Sequence, residues 1–169
     1  MSKEYYLEPI GRYVIAGDTA LHIAAASYRT LVVEELIKAG ADVHARNHFG
    51  DQALHAAAVG FPGLSRWDPT SQAATIRRLI EGGANPNAVD KRGVSPLHRA
   101  VRSRSAAAVR TLLESGADPT LQNNSGSTPM LLASKTTGRG GVGSPEAKSE
   151  QVEILRLLRH SLSGLASPK

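Results

Sequence analysis

The stretch from Gly93 to Thr120, GVSPLHRAVRSRSAAAVRTLLESGADPT, holds the parts of two short helices and a stop. Ser95 can cap a helix start, and Pro96 suits the first helical position, where its missing N–H costs nothing. Leu97, Ala100 and Val101 give one apolar face at helical spacing. Val109, Leu112 and Leu113 give another. Gly116 tolerates the left-handed conformation that ends a helix.

The pattern recurs. GDTALHIAA starts at Gly17 and closes at Gly40 in IKAGADV. GDQALHAAA starts at Gly50 and closes at Gly83 in IEGGANP. GSTPMLLAS starts at Gly126 without a clean closure. The starts are separated by 33, 43 and 33 residues. A fixed period of this length means a solenoid of stacked units. With that step, SPLHRA and TALHIA resemble the ankyrin repeat over roughly Gly17 to Arg159. The expected fold is all-α: four stacked helix-turn-helix units joined by short, β-hairpin-like turns.

The units are expected at about 17–49, 50–92, 93–125 and 126–162. The second carries an inserted loop at 60–72 and the fourth one at 135–148. The Gly/Ser-rich second insertion is expected to be mobile. Residues 1–16 do not match the repeat, and their apolar side chains suit an arm capping the first unit. The alternative is the tail of a further repeat. Residues 163–169 read as a frayed tail.

Three local departures stand out. The family turns between its helices on glycine, but that place falls near Tyr28, so the turn there should differ. Gln52 stands where Thr or Ser caps the other helices. Arg159 occupies an apolar position of the earlier units, as suits a terminal unit with a wet outer face. In the first insertion, Phe61, Leu64 and Trp67 are expected to fold back over the repeat ends.

There are no cysteines, so disulfides and thiolate chemistry are excluded. No apolar run reaches the ~18–20 residues of a membrane span, and residues 1–17 lack the apolar region of a secretory signal. A cytoplasmic, monomeric protein is expected.

His22, His55 and His98 recur at one place in the unit. Equivalent positions lie about one helix diameter apart, ~10 Å, so the three cannot converge on a metal ion at ~2 Å. Each reads as a structural imidazole bonding its own unit and the next turn. Gly138–Gly143 spells G-x-G-x-x-G but lacks the preceding strand and the distant acid of a dinucleotide site. Asn123-Asn124-Ser125 is a glycosylation triplet at a turn, where these residues are favoured for turn reasons. No nucleophile and base, and no pair of acids, is brought together by the repeat positions. The expectation is no enzyme, no metal and no cofactor.

The net charge of +5 is uneven: residues 61–110 carry nine Lys/Arg against three Asp/Glu. The resemblance implies a concave surface lined by the hairpin tips and one side of each first helix. The tips are Asn47-His48-Phe49, Asp90-Lys91-Arg92 and Asn123-Asn124-Ser125. The helix positions are Ile23, Ala26, Ala56, Val59, Arg99, Arg102, Leu132 and Lys135. One half is apolar and the other cationic, and Phe49 should be an exposed aromatic.

The candidate partner-binding residues are therefore His48, Phe49, Val59, Lys91, Arg92, Arg99 and Arg102. Arg suits bidentate contact with a carboxylate, so the expected partner is another protein with an acidic segment. Changing Arg99 and Arg102 to Glu should weaken binding and spare the helix content. The alternatives are nucleic-acid or polyanion binding by the basic segment, and an immunity or inhibitor protein that caps an enzyme. The basic segment lacks the aromatic platforms of single-strand binders.

Overall fold

A computed structural model describes residues 5–7, 12–62, 67–135 and 145–165. Four helix pairs follow one another: α1 Ala20–Ala26 with α2 Thr30–Lys38, and α3 Ala53–Ala57 with α4 Pro69–Glu81. Then come α5 Pro96–Arg102 with α6 Ala106–Glu114, and α7 Pro129–Ser134 with α8 Pro145–Leu165. First helices stack on first helices (α1, α3, α5, α7), and second helices on second helices (α2, α4, α6, α8). The result is a solenoid of helix-turn-helix units.

The core is one stripe between the two helix rows. Leu21, Leu54 and Leu97 occupy one place in successive units and are all buried; so are Val33, Ile76 and Val109. Ala25, Ala58 and Val101, again one place in successive units, are buried as well; small residues such as the two alanines let helix axes come close. Ile154 and Leu158 of α8 complete the stripe, and Arg159 one residue on is exposed.

The hairpin tips repeat one local device. Asn47, Asp90 and Asn123 each turn a side-chain oxygen back on two backbone N–H groups, two and four residues ahead. The glycine three residues on adopts positive φ: Gly50 at 83°, Gly93 at 72°, Gly126 at 70°. Backbone bonds tie tip to tip: His48 N–H to Ala16 O, Lys91 N–H to Phe49 O, Asn124 N–H to Arg92 O.

The histidines add a second tie. Nδ1 of His22 and of His98 meets the capping hydroxyl of Thr19 or Ser95, and Nδ1 of His55 accepts from the Gln52 N–H. Nε2 of His22, His55 and His98 bonds the carbonyl of Asp51, Val94 and Ser127, in each case one residue past the next unit's tip glycine.

Several local expectations change. Tyr28 takes the left-handed conformation at φ 52°, as Arg104 does at 57° in the equivalent turn. The turn is thus kept and the strain accepted, with the Tyr28 hydroxyl donating to Val59 O. Helix α4 begins at Pro69, inside the stretch expected as loop, because Asp68 caps it by accepting from Thr70 N–H. Helix α8 starts at Pro145 and continues to Leu165, so it takes up both the end of the second insertion and the start of the expected tail. The N-terminal arm contains two antiparallel strands, β1 Tyr5–Leu7 and β2 Arg12–Val14, with Tyr5 opposite Val14. Their tyrosines and valine are β-favouring residues, a signal the helical repeat overshadows.

Gln52 makes no side-chain bond to the start of α3. Its Nε2 donates to His44 O at 3.3 Å, and its Oε1 is buried with no partner among the described residues. Gln52→Thr supplies the hydroxyl that Thr19 provides in α1. It is expected to raise unfolding stability by about 1 kcal/mol, measured by urea titration.

Candidate functional site: the concave face

The candidate face joins the tips to the outward sides of α1, α3, α5 and α7, the side expected to be concave. On it, the structure separates the candidate cations into two kinds.

Arg99 is structural. Its guanidinium meets Asp51 Oδ1 at 2.6 Å and Asp90 Oδ2 at 3.1 Å, and its side chain is only 13% exposed. Asp90 stands where the other tips have Asn47 and Asn123. Asp51, like Asp18 before it, stands where the later units have Val94 and Ser127. Asp51 and Asp90 each bring a negative charge into a buried turn. Arg99, at the position of Ile23, Ala56 and Leu132, neutralises both. Burial pushes the Asp90 carboxyl up, but the N–H groups of Val94 and Arg92 and the Arg99 charge outweigh it and hold it below its ordinary value. The expectation that Arg99 faces a partner is thereby corrected: its charge is engaged between units. The double change of Arg99 and Arg102 to Glu would bury three carboxylates together, so it does not test binding cleanly.

Arg102 is different. It lies one turn further along α5, exposed, with no carboxylate in contact among the described residues. Partial burial lowers its pKa from the ordinary arginine value, and the neighbouring charges of Arg99 and Arg92 act in the same direction. Arg92 is 59% exposed, and its guanidinium meets Asp90 Oδ2 at the longer distance of 3.4 Å. Three guanidinia therefore crowd two carboxylates, and both carboxylates already bond Arg99.

Lys91 is exposed and donates from Nζ to His48 O at 2.7 Å, across neighbouring tips. His48 is exposed, whereas Phe49 is half-buried and meets the His48 ring edge-on at 5.8 Å. The exposed aromatic of that tip is thus the imidazole, and Phe49 supports it. Val59 is half-buried two residues past the end of α3, and its carbonyl accepts from the Tyr28 hydroxyl. The structure thus brings Arg92, Arg99 and Arg102 together, with Lys91 and His48 at the adjoining tips.

Much of the remaining basic segment is matched. Arg77 faces Glu114, Arg78 faces Glu34 and Glu81, and Arg110 of α6 pairs with Glu153 of α8. Among the described residues no group of three or more His, Cys, Asp or Glu is placed to hold a metal ion, and no helix is long and apolar enough to cross a membrane. The G-x-G-x-x-G run lies outside the described residues. The Asn123 side chain of the glycosylation triplet is engaged by the N–H groups of Ser125 and Ser127.

The first insertion behaves in two ways. The Trp67 indole N–H donates to Gln72 Oε1 at 3.0 Å, so Trp67 is folded back. Phe61 is 45% exposed, contrary to expectation, and Leu64 lies outside the described residues. The polar anchor Gln72 escapes sequence reasoning, because a glutamine in a stretch that reads as loop gives no burial signal.

Among known proteins, a family model described as "Ankyrin repeat" matches residues 16–48, and one described as "Ankyrin repeats (many copies)" matches residues 79–133, together just over half of the chain. The chain is 40% identical over 84 residues to mouse "Ankyrin repeat and SOCS box protein 16", covering 48% of this chain and 18% of that protein. It is 37% identical over 86 residues to mouse "NF-kappa-B inhibitor delta", covering 50% and 24%. It is 36% identical over 88 residues to "E3 ubiquitin-protein ligase KEG" of Arabidopsis thaliana, covering 52% and 5%. The matched part thus spans less than a quarter of each relative.

Proposed function

This chain belongs to the ankyrin repeat family, whose repeats are generally non-catalytic protein–protein interaction modules, and on that premise we propose that it is an adaptor or regulatory scaffold holding one partner protein on its concave face. The carrying observation is Arg102, an exposed guanidinium on that face with no carboxylate of its own among the described residues. Arg92, Lys91 and His48 extend the surface along the tips. Backbone bonds between tips and buried imidazoles between units hold these groups in place before a partner arrives, so little ordering entropy is lost on binding. The partner presents an acidic segment to the guanidinia. The module acts in the cytoplasm as a monomer.

Polyanion binding is the weaker reading, because a basic surface for nucleic acid needs unpaired cations, and Arg77, Arg78, Arg99 and Arg110 face carboxylates. A relative named as an inhibitor favours a variant of the main reading, in which the module blocks the partner it holds.

Arg92→Glu combined with Arg102→Glu is expected to weaken partner binding roughly 100-fold, about 3 kcal/mol, through lost attraction and new repulsion. The far-ultraviolet circular dichroism should not change, since neither side chain supports the core. An unaltered affinity refutes the reading.

A further inference from the structure

The three guanidinia of the candidate face differ in what they have left to donate. Arg99 is engaged: its Nη2 holds Asp51 Oδ1 and Asp90 Oδ2 in a buried turn. Arg92 is held in place but only partly engaged. Asp90 grips it at two points, Oδ1 accepting its backbone N–H at 2.7 Å and Oδ2 accepting from its Nη2 at 3.4 Å. The other N–H groups of that guanidinium bond nothing among the described residues. The Arg102 guanidinium makes no ion pair and donates no hydrogen bond among the described residues.

The three stand together. Arg92 Nη2 and Arg99 Nη2 share one oxygen, Asp90 Oδ2, at 3.4 and 3.1 Å. Arg102 follows Arg99 by three residues on α5, a spacing that puts side chains on one helix face. Partial burial, then the charges of Arg99 and Arg92, lower the basicity of Arg102, so both guanidinia lie within its electrostatic reach. The carboxylates beneath do not relieve this crowding. Asp90 Oδ1 also accepts from Val94 N–H, and Asp51 Oδ1 is bonded by Arg99.

The chemistry of this cluster selects its ligand. A carboxylate is planar, and one guanidinium fork fills both of its oxygens. Two guanidinia from different elements, the tip and α5, call for more acceptors. A phosphoryl group offers three strong acceptor oxygens and about −1.5 to −2 of charge. The cluster is also local. Arg77, Arg78 and Arg110, on the second-helix row, face glutamates, so they do not extend it into a track for the successive phosphates of a nucleic acid.

We propose that Arg92 and Arg102 form a phosphoryl-binding site, and that its occupant is a phosphorylated side chain within the acidic segment of the partner protein. Arg102 meets two of the phosphoryl oxygens and Arg92 the third, while Asp90 positions Arg92 from beneath. This rests on the reading of the concave face as the binding surface. It adds a regulation of that contact: phosphorylation of the partner strengthens its hold.

The test screens the full chain against dodecapeptide libraries with a central phosphoserine, phosphothreonine or phosphotyrosine, and against the same libraries with a central Glu. Affinities of the enriched peptides are measured by fluorescence polarisation. A phosphopeptide is expected to bind at least roughly tenfold more tightly than its Glu counterpart. Arg92→Lys and Arg102→Lys keep the charge and lose the planar fork. Each should weaken the phosphopeptide roughly tenfold and keep the wild-type thermal midpoint. Equal affinity of the phosphorylated and Glu peptides, or phosphopeptides that ignore both lysine variants, overturns the proposal. If the Glu peptides then lose binding with Arg102→Glu, the concave-face reading survives alone. A single-stranded oligodeoxynucleotide that outcompetes the phosphopeptides overturns both, and so does the absence of any peptide that depends on Arg92 or Arg102.

Discussion

Arg99→Leu is expected to cost the fold on the order of 3–5 kcal/mol, because it strands two carboxylates in a buried turn. Asp51 and Asp90 have side-chain exposures of 7% and 0%, and Arg99 is their shared counterion. A decisive companion is the triple change Arg99→Leu, Asp51→Ser and Asp90→Asn. Each replacement is the residue of an equivalent position: Leu132, Ser127, and Asn47 or Asn123. The carboxamide oxygen that Asp90→Asn introduces can still accept from the N–H groups of Arg92 and Val94. The triple variant should recover most of the lost stability, since a neutral, satisfied turn carries no charge to desolvate. Urea unfolding of the single and triple variants checks this. A single variant as stable as wild type would mean that Arg99 is not the counterion.

Acidification is expected to destabilise the protein between pH 6.5 and 4 through a buried imidazole. Burial lowers the pKa of His55 from 6.5 to about 4; the charge of Arg99 acts in the same direction, while Asp51 and Asp90 act against it. The unfolded chain therefore takes up the proton first. Stability from this group is complete above pH 6.5, falls as pH drops through the window, and levels off below about 4. The total is on the order of 3 kcal/mol, with about 2 kcal/mol gone by pH 5. His98, lowered mainly by burial, adds in the same direction. The lowered Asp90 carboxyl contributes stability that is lost only at still lower pH. His55→Gln removes the titration and should flatten the profile from pH 6.5 to 4. An equally steep profile in that variant would place the acid sensitivity elsewhere.

The scaffold is legible because each of its elements repeats. Leu21, Leu54 and Leu97 are interchangeable in the sequence and in the structure, and so are the three imidazoles. Features that occur once are harder to read. The pairing of Arg99 with Asp51 and Asp90 joins residues 48 and 9 positions apart. In the sequence they are three unrelated residues, so Arg99 reads as a free surface charge. Helix α4 is longer than the sequence suggests because Pro62 and Pro69 both point to a loop, although Asp68-Pro69 is also a helix start. Arg102 is placed on the concave side by the ankyrin resemblance, which the period supports. That Arg102 meets no carboxylate among the described residues depends on Arg99 already holding Asp51 and Asp90.

In the proposed function the partner is held on the concave face by cations the fold does not use. This is tested most directly by capturing the partner with the wild-type chain and titrating it calorimetrically against two charge reversals. Arg102→Glu changes the concave face, and Arg77→Glu changes the outer side of α4. Arg102→Glu is predicted to weaken binding at least roughly tenfold, while Arg77→Glu leaves it unchanged and both keep the wild-type circular dichroism. Loss of binding with Arg77→Glu, and none with Arg102→Glu, would contradict the account.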